Sequence, residues 1–246
     1  MNEKVALIAG ASGGIGSAIA RLFSGKGMKV YGNYFKNQEK AGQMEREIER
    51  CIMAQCDLAD ERQARQWVEQ VFQKESRIDV FVNAVTAPLK LKNLEDLSAE
   101  EFEEDYSVIV RGGFHLLKSV IPLMKKQKEG VVIHLLTSAV KETPPRMSSY
   151  AAAKSGLLGL TQSLSAEAGR FNVRILGLSP SFVETDLLKA FPPKLLEMER
   201  QKMPGGQLIQ AGEIAQVALE MVQNPEKFPN GSHYFVSSPQ AIPDVK

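Results

Sequence analysis

The chain has 246 residues, of which 43% are apolar and 24% are charged, the composition of an ordinary globular protein. This length suits one large domain with a full-sized core, so we expect a single domain over residues 1–246. The formal net charge of +1 gives no electrostatic reason to expect a nucleic acid or an anionic membrane as a partner. No stretch reaches the ~20 apolar residues that span a bilayer.

The first residues run directly into a strand-like segment, without the charged and then apolar layout of a secretion signal, so we expect a cytoplasmic protein. Cys51 and Cys56 have neither a second cysteine pair nor a histidine at zinc-ligand spacing. We expect two semi-buried thiols in or beside a strand, and no metal site. His115, His134 and His233 show no ligand spacing either, and we expect packing or surface roles for them.

Strand-like apolar runs alternate with helical patterns along the chain. The runs cover residues 5–10, 29–34, 51–56, 78–84, 130–138, 173–180 and 233–236. Several are continuously apolar, as in strands that are covered on both faces. The alternation predicts an α/β fold with one doubly wound parallel sheet of the Rossmann type, about seven strands, and helices on both faces.

Cap signals mark some of the helices. An acidic residue opens the helical pattern that follows the third strand, and Trp67 on that helix is expected in the core. Ser98 and Glu101 form a capping-box pattern before a long helix that runs through Met124. The segment 184–206 is rich in proline and glycine and interrupts the alternation. We expect it to form a lid over a pocket.

A glycine-rich turn joins the first strand to the first helix. Gly10, Gly14 and Gly16 fall at G-x-x-x-G-x-G spacing. Without side chains, such a turn lets a pyrophosphate approach backbone N–H groups at the positive end of a helix. The alternative is a tight turn that only allows helix and sheet to pack closely. The position directly after a strand favours nucleotide binding.

A later helical stretch places Tyr150 four residues before Lys154. Residues at this spacing share one helix face. A free phenol has a pKa of about 10, and we expect the neighbouring ammonium to lower it and make the pair an acid/base group. Taken alone, such a pair also arises by chance on helix surfaces.

Together these motifs resemble the short-chain dehydrogenases/reductases, and the resemblance covers nearly the whole chain. The matching stretches are GASGGIG (10–16), CDL (56–58), VNA (82–84), YAAAK (150–154) and PSFVETD (180–186). NYFKNQEKA and YAAAKSGLLGLTQSLSAE are similar to the 3-oxoacyl-acyl-carrier-protein reductases of fatty-acid and polyketide biosynthesis.

The resemblance implies a bound nicotinamide dinucleotide. The implied cofactor-binding residues are Gly10, Ser12, Gly13, Gly14, Ile15, Gly16, Asn33, Tyr34, Lys36, Asp57, Leu58, Asn83, Ala84, Tyr150, Lys154, Pro180, Val183 and Thr185. The stretch 32–37 lacks the acidic residue that holds the ribose diol of NAD, and Lys36 could attract a 2′-phosphate. We therefore expect NADP (NADPH), with NAD as the alternative. Gly13 stands where NADP-using relatives often carry arginine, and Lys36 could equally be a solvated loop charge.

The resemblance also implies the chemistry. Hydride passes from the nicotinamide to a carbonyl carbon, Tyr150 donates a proton to the carbonyl oxygen, and Lys154 holds the nicotinamide ribose. A hydroxyl at the end of the fifth strand polarises that oxygen. Spacing from Tyr150 favours Thr137 for this role and residue type favours Ser138; we lean to Ser138 and keep both.

Two departures from the family pattern leave a second function open. Ile109 replaces an asparagine that holds a proton-relaying water, and Val85 replaces a glycine. The first hypothesis is NADPH-dependent reduction of a ketone to a secondary alcohol, the ketone being a carrier-protein-bound 3-oxoacyl thioester or a related 3-oxo compound. The alternative is a catalytically weak partner subunit that binds nucleotide or a homologous subunit.

Two further expectations concern the assembly and the pocket. Family members form dimers or tetramers, so we expect a homodimer or homotetramer built through the helices that start near Ser98 and Ser148. Five apolar side chains near the lid are expected to line a substrate pocket: Met147, Phe182, Leu187, Leu188 and Phe191.

Overall fold

The computed structural model describes residues 3–142, 144–238 and 244–245. Its centre is a sheet in which the strands lie in the order β3-β2-β1-β4-β5-β6-β7-β8. The strands are β1 (Val5–Ala9), β2 (Lys29–Tyr34), β3 (Cys51–Gln55), β4 (Val80–Asn83), β5 (Gly130–Leu135), β6 (Val173–Pro180), β7 (His233–Val236) and β8 (Asp244–Val245).

The first seven strands are parallel, which confirms the predicted doubly wound sheet. The eighth has two residues and pairs antiparallel with β7; so short a strand carries no sequence pattern. Several predicted runs are longer than the strands that form. For example, the run at 130–138 corresponds to β5, which ends at Leu135. These extra residues leave the sheet and form the loops of the site.

Helices cover both faces of the sheet. They are α1 (Gly14–Gly25), α2 (Gln38–Glu47), α3 (Glu61–Glu75), α4 (Ala99–Tyr106), α5 (Gly112–Gln127), α6 (Ala139–Glu142), α7 (Ser148–Ala168), α8 (Pro193–Lys202) and α9 (Ala211–Gln223). One core lies between the sheet and α1, α2 and α9. The other lies between the sheet and α3, α5 and α7, and it includes Trp67 as predicted.

The predicted cap signals are confirmed. The Asp60 side chain accepts hydrogen bonds from the backbone N–H groups of Arg62 and Gln63 at the start of α3. Ser98 and Glu101 form both hydrogen bonds of a capping box at α4. These contacts satisfy backbone donors that a helix start otherwise leaves without partners.

The long predicted helix is continuous from Ala99 to Gln127, but it contains a π-helical turn, Ser107–Arg111. There the N–H of Gly112 donates to the carbonyl of Ser107, one residue further back than in an α-helix. By length and composition this helix could span a membrane, yet 56% of its most apolar window is buried inside the protein. It is therefore a core helix.

Parallel strands place their carboxyl ends at one edge of the sheet. The register pairs Ala9 with Asn83, Asn83 with His134, and His134 with Gly177. The loops that follow β1, β4, β5 and β6 therefore meet at one edge, where ligands bind in open α/β sheets.

The segment 184–206 contains α8 between two short 3₁₀ turns, Asp186–Ala190 and Pro204–Gly206. Its base is pinned by a β-bridge between Val183 and Ile209. The N–H of Glu184 donates to the Ile209 carbonyl at 2.8 Å. A fixed base with a separate helical body is compatible with the lid role, which stays a prediction.

Candidate active site

The glycine loop allows β1, α1 and the loop after β4 to approach closely. Gly10 has φ +73°, and a Cβ added there would lie 2.9 Å from the main chain of Ala84. A Cβ on Gly16 would lie 2.2 Å from the carbonyl oxygen of Gly10. Both positions therefore require glycine. The N–H of Gly13 closes the turn on the Gly10 carbonyl at 3.0 Å.

The start of α1 fits a pyrophosphate. Gly13 is its N-cap, no side chain of the described residues caps it, and its first turn holds no acidic residue. Its first N–H groups are thus available to an anion at the positive helix end. A Cβ on Gly14 would lie 2.5 Å from Cγ2 of Thr185, so the loop after β6 lies directly over this helix start. Ser12 and Ile15 flank it, both partly exposed.

Asn33 supports the loop from below. Its Oδ1 accepts a 2.7 Å hydrogen bond from the N–H of Gly10, and its Nδ2 donates to the Cys56 carbonyl at 3.2 Å. The side chain is buried and links the ends of β1, β2 and β3. Asn33 therefore shapes the glycine loop, whereas the sequence suggested direct cofactor contact.

Four of the predicted cofactor-binding residues, Tyr34, Lys36, Asp57 and Leu58, lie at or just after the carboxyl ends of β2 and β3. Lys36 is exposed, and Tyr34 is half-buried. Asp57 Oδ1 accepts a 3.0 Å hydrogen bond from the N–H of Ala59, which fixes the turn after β3. The side chain of Leu58 is buried, so it contributes packing more than a polar contact.

Asn83 faces away from the glycine loop. Its side chain is only 1% exposed. Its Oδ1 accepts a 3.2 Å hydrogen bond from the N–H of Val85, and its Nδ2 lies 3.4 Å from Nδ1 of His134. The main chain of Ala84, by contrast, borders Gly10. Of the predicted pair, Ala84 borders the glycine loop through its main chain, and the Asn83 side chain is directed to Val85 and His134.

Tyr150 and Lys154 lie on the buried face of α7, with 6% and 2% of their surfaces exposed. Lys154 Nζ donates hydrogen bonds to the carbonyl oxygens of Leu135 at 2.7 Å and of Val85 at 3.1 Å. It lies 6.0 Å from the centre of the Tyr150 ring. The spacing prediction that both groups share one face is confirmed.

The predicted effect of this lysine on the phenol is wrong. Burial raises the pKa of Tyr150 to about 12, and hydrogen bonds with Thr137 and Thr86 only partly oppose this. Burial also lowers the pKa of Lys154 to about 7, so its own charge is disfavoured. Desolvation therefore outweighs charge attraction. Tyr150 stays protonated at neutral pH, which is the form that a proton donor needs.

The two hydroxyls after β5 differ in their partners. Ser138 Oγ donates to Glu142 Oε2 at 3.0 Å, which directs it towards α6. Thr137 lies beside Tyr150 and lowers the pKa of that phenol, and its Oγ1 also accepts a 3.3 Å hydrogen bond from the N–H of Ala139. This arrangement favours Thr137 as the hydroxyl that polarises the carbonyl oxygen, whereas residue type favours Ser138.

Thr86 is a further hydroxyl beside Tyr150, and the sequence reasoning did not find it. It directly follows Val85, where the chain departs from the family glycine, and that departure was the only available signal. The Val85 carbonyl bonds to Lys154. The altered segment therefore contacts both members of the Tyr-Lys pair.

A buried ionic cluster fixes α7 just before Tyr150. Asp105 is 1% exposed; it accepts hydrogen bonds from Ser149 Oγ at 2.6 Å and from Lys90 Nζ at 2.9 Å. This cluster joins α4, α7 and the loop after β4. No local pattern indicates it, because its members are distant in sequence.

A cavity of about 620 Å³ opens beside Tyr150 and runs under the segment 184–206. The five apolar residues predicted to line a substrate pocket all line this cavity; that a substrate binds there stays a prediction. Seven more of the predicted site residues also line it: Ile15, Thr137, Ser138, Tyr150, Pro180, Val183 and Thr185.

The chain matches the family described as short chain dehydrogenase over residues 4–195. It is 29% identical over 239 residues to the 3-oxoacyl-acyl-carrier-protein reductase of Thermotoga maritima, which covers 94% of this chain and 95% of that relative. A 3-ketoacyl-(acyl-carrier-protein) reductase from Brucella melitensis, solved in complex with NADH, is 26% identical with a TM-score of 0.86 and 98% coverage of both chains.

A solved levodione reductase is also 26% identical, with a TM-score of 0.84, and the match covers 96% of this chain and 95% of that one. These similarities run over the whole sheet and over the loops that form the site. Because the family match spans most of the chain, this protein belongs to the short-chain dehydrogenases/reductases and is an NAD(P)-dependent oxidoreductase.

Proposed function

We propose that the protein reduces a ketone to a secondary alcohol with NADPH, and that the ketone is the 3-oxo group of an acyl thioester, carried by a carrier protein, or of a related 3-oxo compound. The observation that carries the proposal is a single cavity whose lining brings together Ile15 of the glycine-rich segment, Thr137 and Tyr150, and a set of apolar side chains.

Each residue of the site has a role in this reaction. The bound cofactor supplies the hydride to the carbonyl carbon. Tyr150 donates its proton to the carbonyl oxygen, and Thr137 hydrogen-bonds to that oxygen while its negative charge develops. Lys154 holds the cofactor ribose from a position fixed by the Leu135 and Val85 carbonyls. Thr86 adds a second hydroxyl at Tyr150.

The cavity supports an acyl substrate. Its walls are mostly apolar, with charged side chains such as Arg146 and Lys202 among the lining residues. An apolar chamber binds a hydrocarbon chain through burial. The relatives named as 3-oxoacyl and 3-ketoacyl carrier-protein reductases support the same substrate class.

The choice of NADPH rests on β2 and the loop that follows it. The stretch 32–37 contains no carboxylate to bind a ribose diol or repel a 2′-phosphate, and Lys36 is exposed there. The Brucella relative was solved with NADH, so NAD remains the alternative cofactor.

We further propose a cytoplasmic homodimer or homotetramer. The helix from Ala99 to Gln127 carries three exposed aromatic side chains, Phe102, Tyr106 and Phe114. Exposed aromatic residues are typical of protein interfaces. Light scattering coupled to size exclusion measures the assembly directly.

The test is an assay that follows oxidation of NADPH with 3-oxoacyl thioesters of increasing chain length. Turnover that increases with chain length and disappears in Tyr150→Phe supports the proposal. Tyr234→Phe is the matched control, because Tyr234 is also buried but lies on β7, where its hydroxyl donates to the Lys227 carbonyl and not to the cavity. The proposal fails if the purified protein binds cofactor but turns over none of these thioesters.

Ile109 is the observation that favours a second candidate, the catalytically weak partner subunit. This isoleucine is fully buried in the π turn and offers no polar group to the site. A partner role predicts cofactor binding without turnover of any ketone, together with stable association with an active homologue.

A further inference from the structure

Leucines and lysines alternate in the loop after β4, and the two kinds of side chain contact different parts of the protein. Leu89 and Leu91 line the cavity and pack against the apolar cluster that includes Tyr150. Lys90 and Lys92 instead reach α4, where their ammonium groups pair with carboxylates. Such alternation is typical of an extended chain. The segment 89–92 is therefore a wall of the cavity that its lysines hold from behind.

The contact of Lys90 with α4 is buried and ionic. Its Nζ lies 2.9 Å from Asp105 Oδ1 and 2.9 Å from Glu104 Oε2, and only 14% of its side chain is exposed. Burial lowers its pKa, but the two carboxylates outweigh this effect and raise the pKa above its ordinary value. Lys92 pairs with Glu101 at a more exposed position, where an ion pair contributes little. Lys90 is therefore the main anchor of the wall.

Asp105 connects this anchor to α7. Its second oxygen, Oδ2, accepts a 2.6 Å hydrogen bond from Oγ of Ser149, the residue directly before Tyr150. Asp105 and Ser149 are 1% and 2% exposed, so water does not compete for this bond. Burial is the main cause of the raised pKa of Tyr150, and the Asp105 charge adds to it. One carboxylate thus holds the cavity wall with one oxygen and the start of α7 with the other.

The far end of the wall has a separate attachment. Nη2 of Arg146 donates to the Leu91 carbonyl at 2.7 Å, and the N–H of Lys92 donates to the Arg146 carbonyl at 3.1 Å. These bonds fix residues 91 and 92 without the help of Asp105. The position of Leu89, at the near end, depends instead on its neighbour Lys90.

We propose that Asp105 is a positioning residue that couples the substrate pocket to the proton donor. Through Lys90 it places Leu89, which thereby becomes a determinant of the acyl chain length that fits the cavity. Through Ser149 it places the Tyr150 hydroxyl. The effects on turnover rest on the proposed reductase function, whereas the geometry of this junction does not.

Two variants separate the two halves of the junction without leaving a buried charge unpaired. Ser149→Ala removes the link to α7 and keeps the ion pair between Lys90 and Asp105. Lys90→Met combined with Asp105→Asn removes the ion pair and keeps an amide oxygen that can accept from Ser149. Removal of one charged partner alone would leave a buried charge without compensation, which can unfold the protein.

The two variants are expected to differ in their kinetics with 3-oxoacyl thioesters. Ser149→Ala should lower kcat about tenfold at every chain length, the loss of one hydrogen bond, with the native length preference. The Lys90→Met/Asp105→Asn variant should lower kcat less and change the ratio of kcat/KM between long and short thioesters about tenfold, because the wall fits the chain less closely. An unchanged kcat in Ser149→Ala, or the same change of length preference in both variants, contradicts the proposal.

Each variant has a matched control. Ser148→Ala changes the exposed neighbour of Ser149 and is expected to lower kcat much less. Lys92→Met breaks the more exposed ion pair of the same wall and is expected to change the length preference much less. If Lys92→Met changes the preference as strongly as the Lys90→Met/Asp105→Asn variant, any lost charge in this loop has the same effect, and the role of Asp105 is rejected.

Crystal structures of the variants test the junction without an assay. In Ser149→Ala the Tyr150 hydroxyl is expected to move by more than about 0.5 Å, the tolerance of a positioned group, while Leu89 stays in place. In the Lys90→Met/Asp105→Asn variant Leu89 is expected to move while Tyr150 stays. An unmoved Tyr150 in the first variant, or an unmoved Leu89 in the second, overturns the proposal whether or not the protein reduces ketones. The expected movements in a protein without turnover support the junction and reject the reductase function instead.

Discussion

Lys154 Nζ lies 2.7 Å from the carbonyl oxygen of Leu135, the last residue of β5. This bond ties α7 to the strand whose next residues carry the Thr137 hydroxyl. The phenol on α7 and the hydroxyl after β5 are thereby held in a fixed relation. Lys154 contributes to the geometry of the site through this bond and not through its charge, because burial lowers its pKa.

The burial of Lys154 predicts a pH-dependent stability. Its pKa falls from an ordinary 10.5 to about 7 in the folded protein. Between these values the unfolded chain holds a proton on Lys154 that the folded protein lacks, so Lys154 contributes a rise in the free energy of unfolding with pH above about 7. Lys154→Met is expected to remove this rise. A single titrating group can change the free energy of unfolding by at most about 1.4 kcal/mol per pH unit.

Urea unfolding of both proteins between neutral pH and about pH 9, below the range where tyrosine titrates, measures the difference. Lys118→Met is the control, because Lys118 is exposed and paired with Glu61 at 2.7 Å. If the free energy of unfolding changes with pH in the same way for the native chain and for Lys154→Met, the pKa of Lys154 is not lowered in the folded protein.

The hydroxyl after β5 is expected to be that of Thr137. Thr137→Ala removes the hydroxyl that lies beside Tyr150 and is expected to lower kcat about 10²-fold. Ser138→Ala breaks only a contact with Glu142 and is expected to leave most of the activity. Steady-state kinetics of the two variants compare them, and a larger loss in Ser138→Ala reverses the assignment.

Lys36 is expected to set the cofactor preference. Lys36→Glu places a carboxylate where the 2′-phosphate would lie, so NADPH should bind about tenfold more weakly while NADH is unaffected or improved. Fluorescence titration with both cofactors measures this. Lys26→Glu makes the same charge change at the far end of α1. Equal losses in the two variants would mean that only overall charge matters.

The sequence predicted the fold and the glycine loop well because both depend on local patterns. Continuous apolar runs indicate buried strands, and glycine spacing indicates close approach of the backbone. Four of the predicted pocket side chains were found together because they lie within residues 182–191, and Met147 joins them from the start of α7. Such features need no knowledge of distant contacts.

Other parts of the site depend on the surroundings of each group. The Tyr150 pKa moved opposite to the prediction, because spacing shows a neighbour but not the burial that outweighs it. The hydrogen bond from Gly10 to Asn33 was not predicted, because the direction of a side chain follows from tertiary contacts; the predicted cofactor contact of Asn33 stays a prediction. Thr86 lies beside Tyr150 and His134 lies beside Asn83. Both contacts join separate elements, so no local sequence pattern indicates them.

Tyr150 tests the proposed chemistry most directly. Tyr150→Phe removes the proton donor and leaves the ring in its packing, so cofactor binding should persist while kcat falls about 10²–10⁴-fold. The decisive measurement is the rate of NADPH oxidation with a 3-oxoacyl thioester, alongside cofactor titration of the same sample. Retained binding with lost turnover is the expected result; undiminished turnover in Tyr150→Phe would show that another group donates the proton.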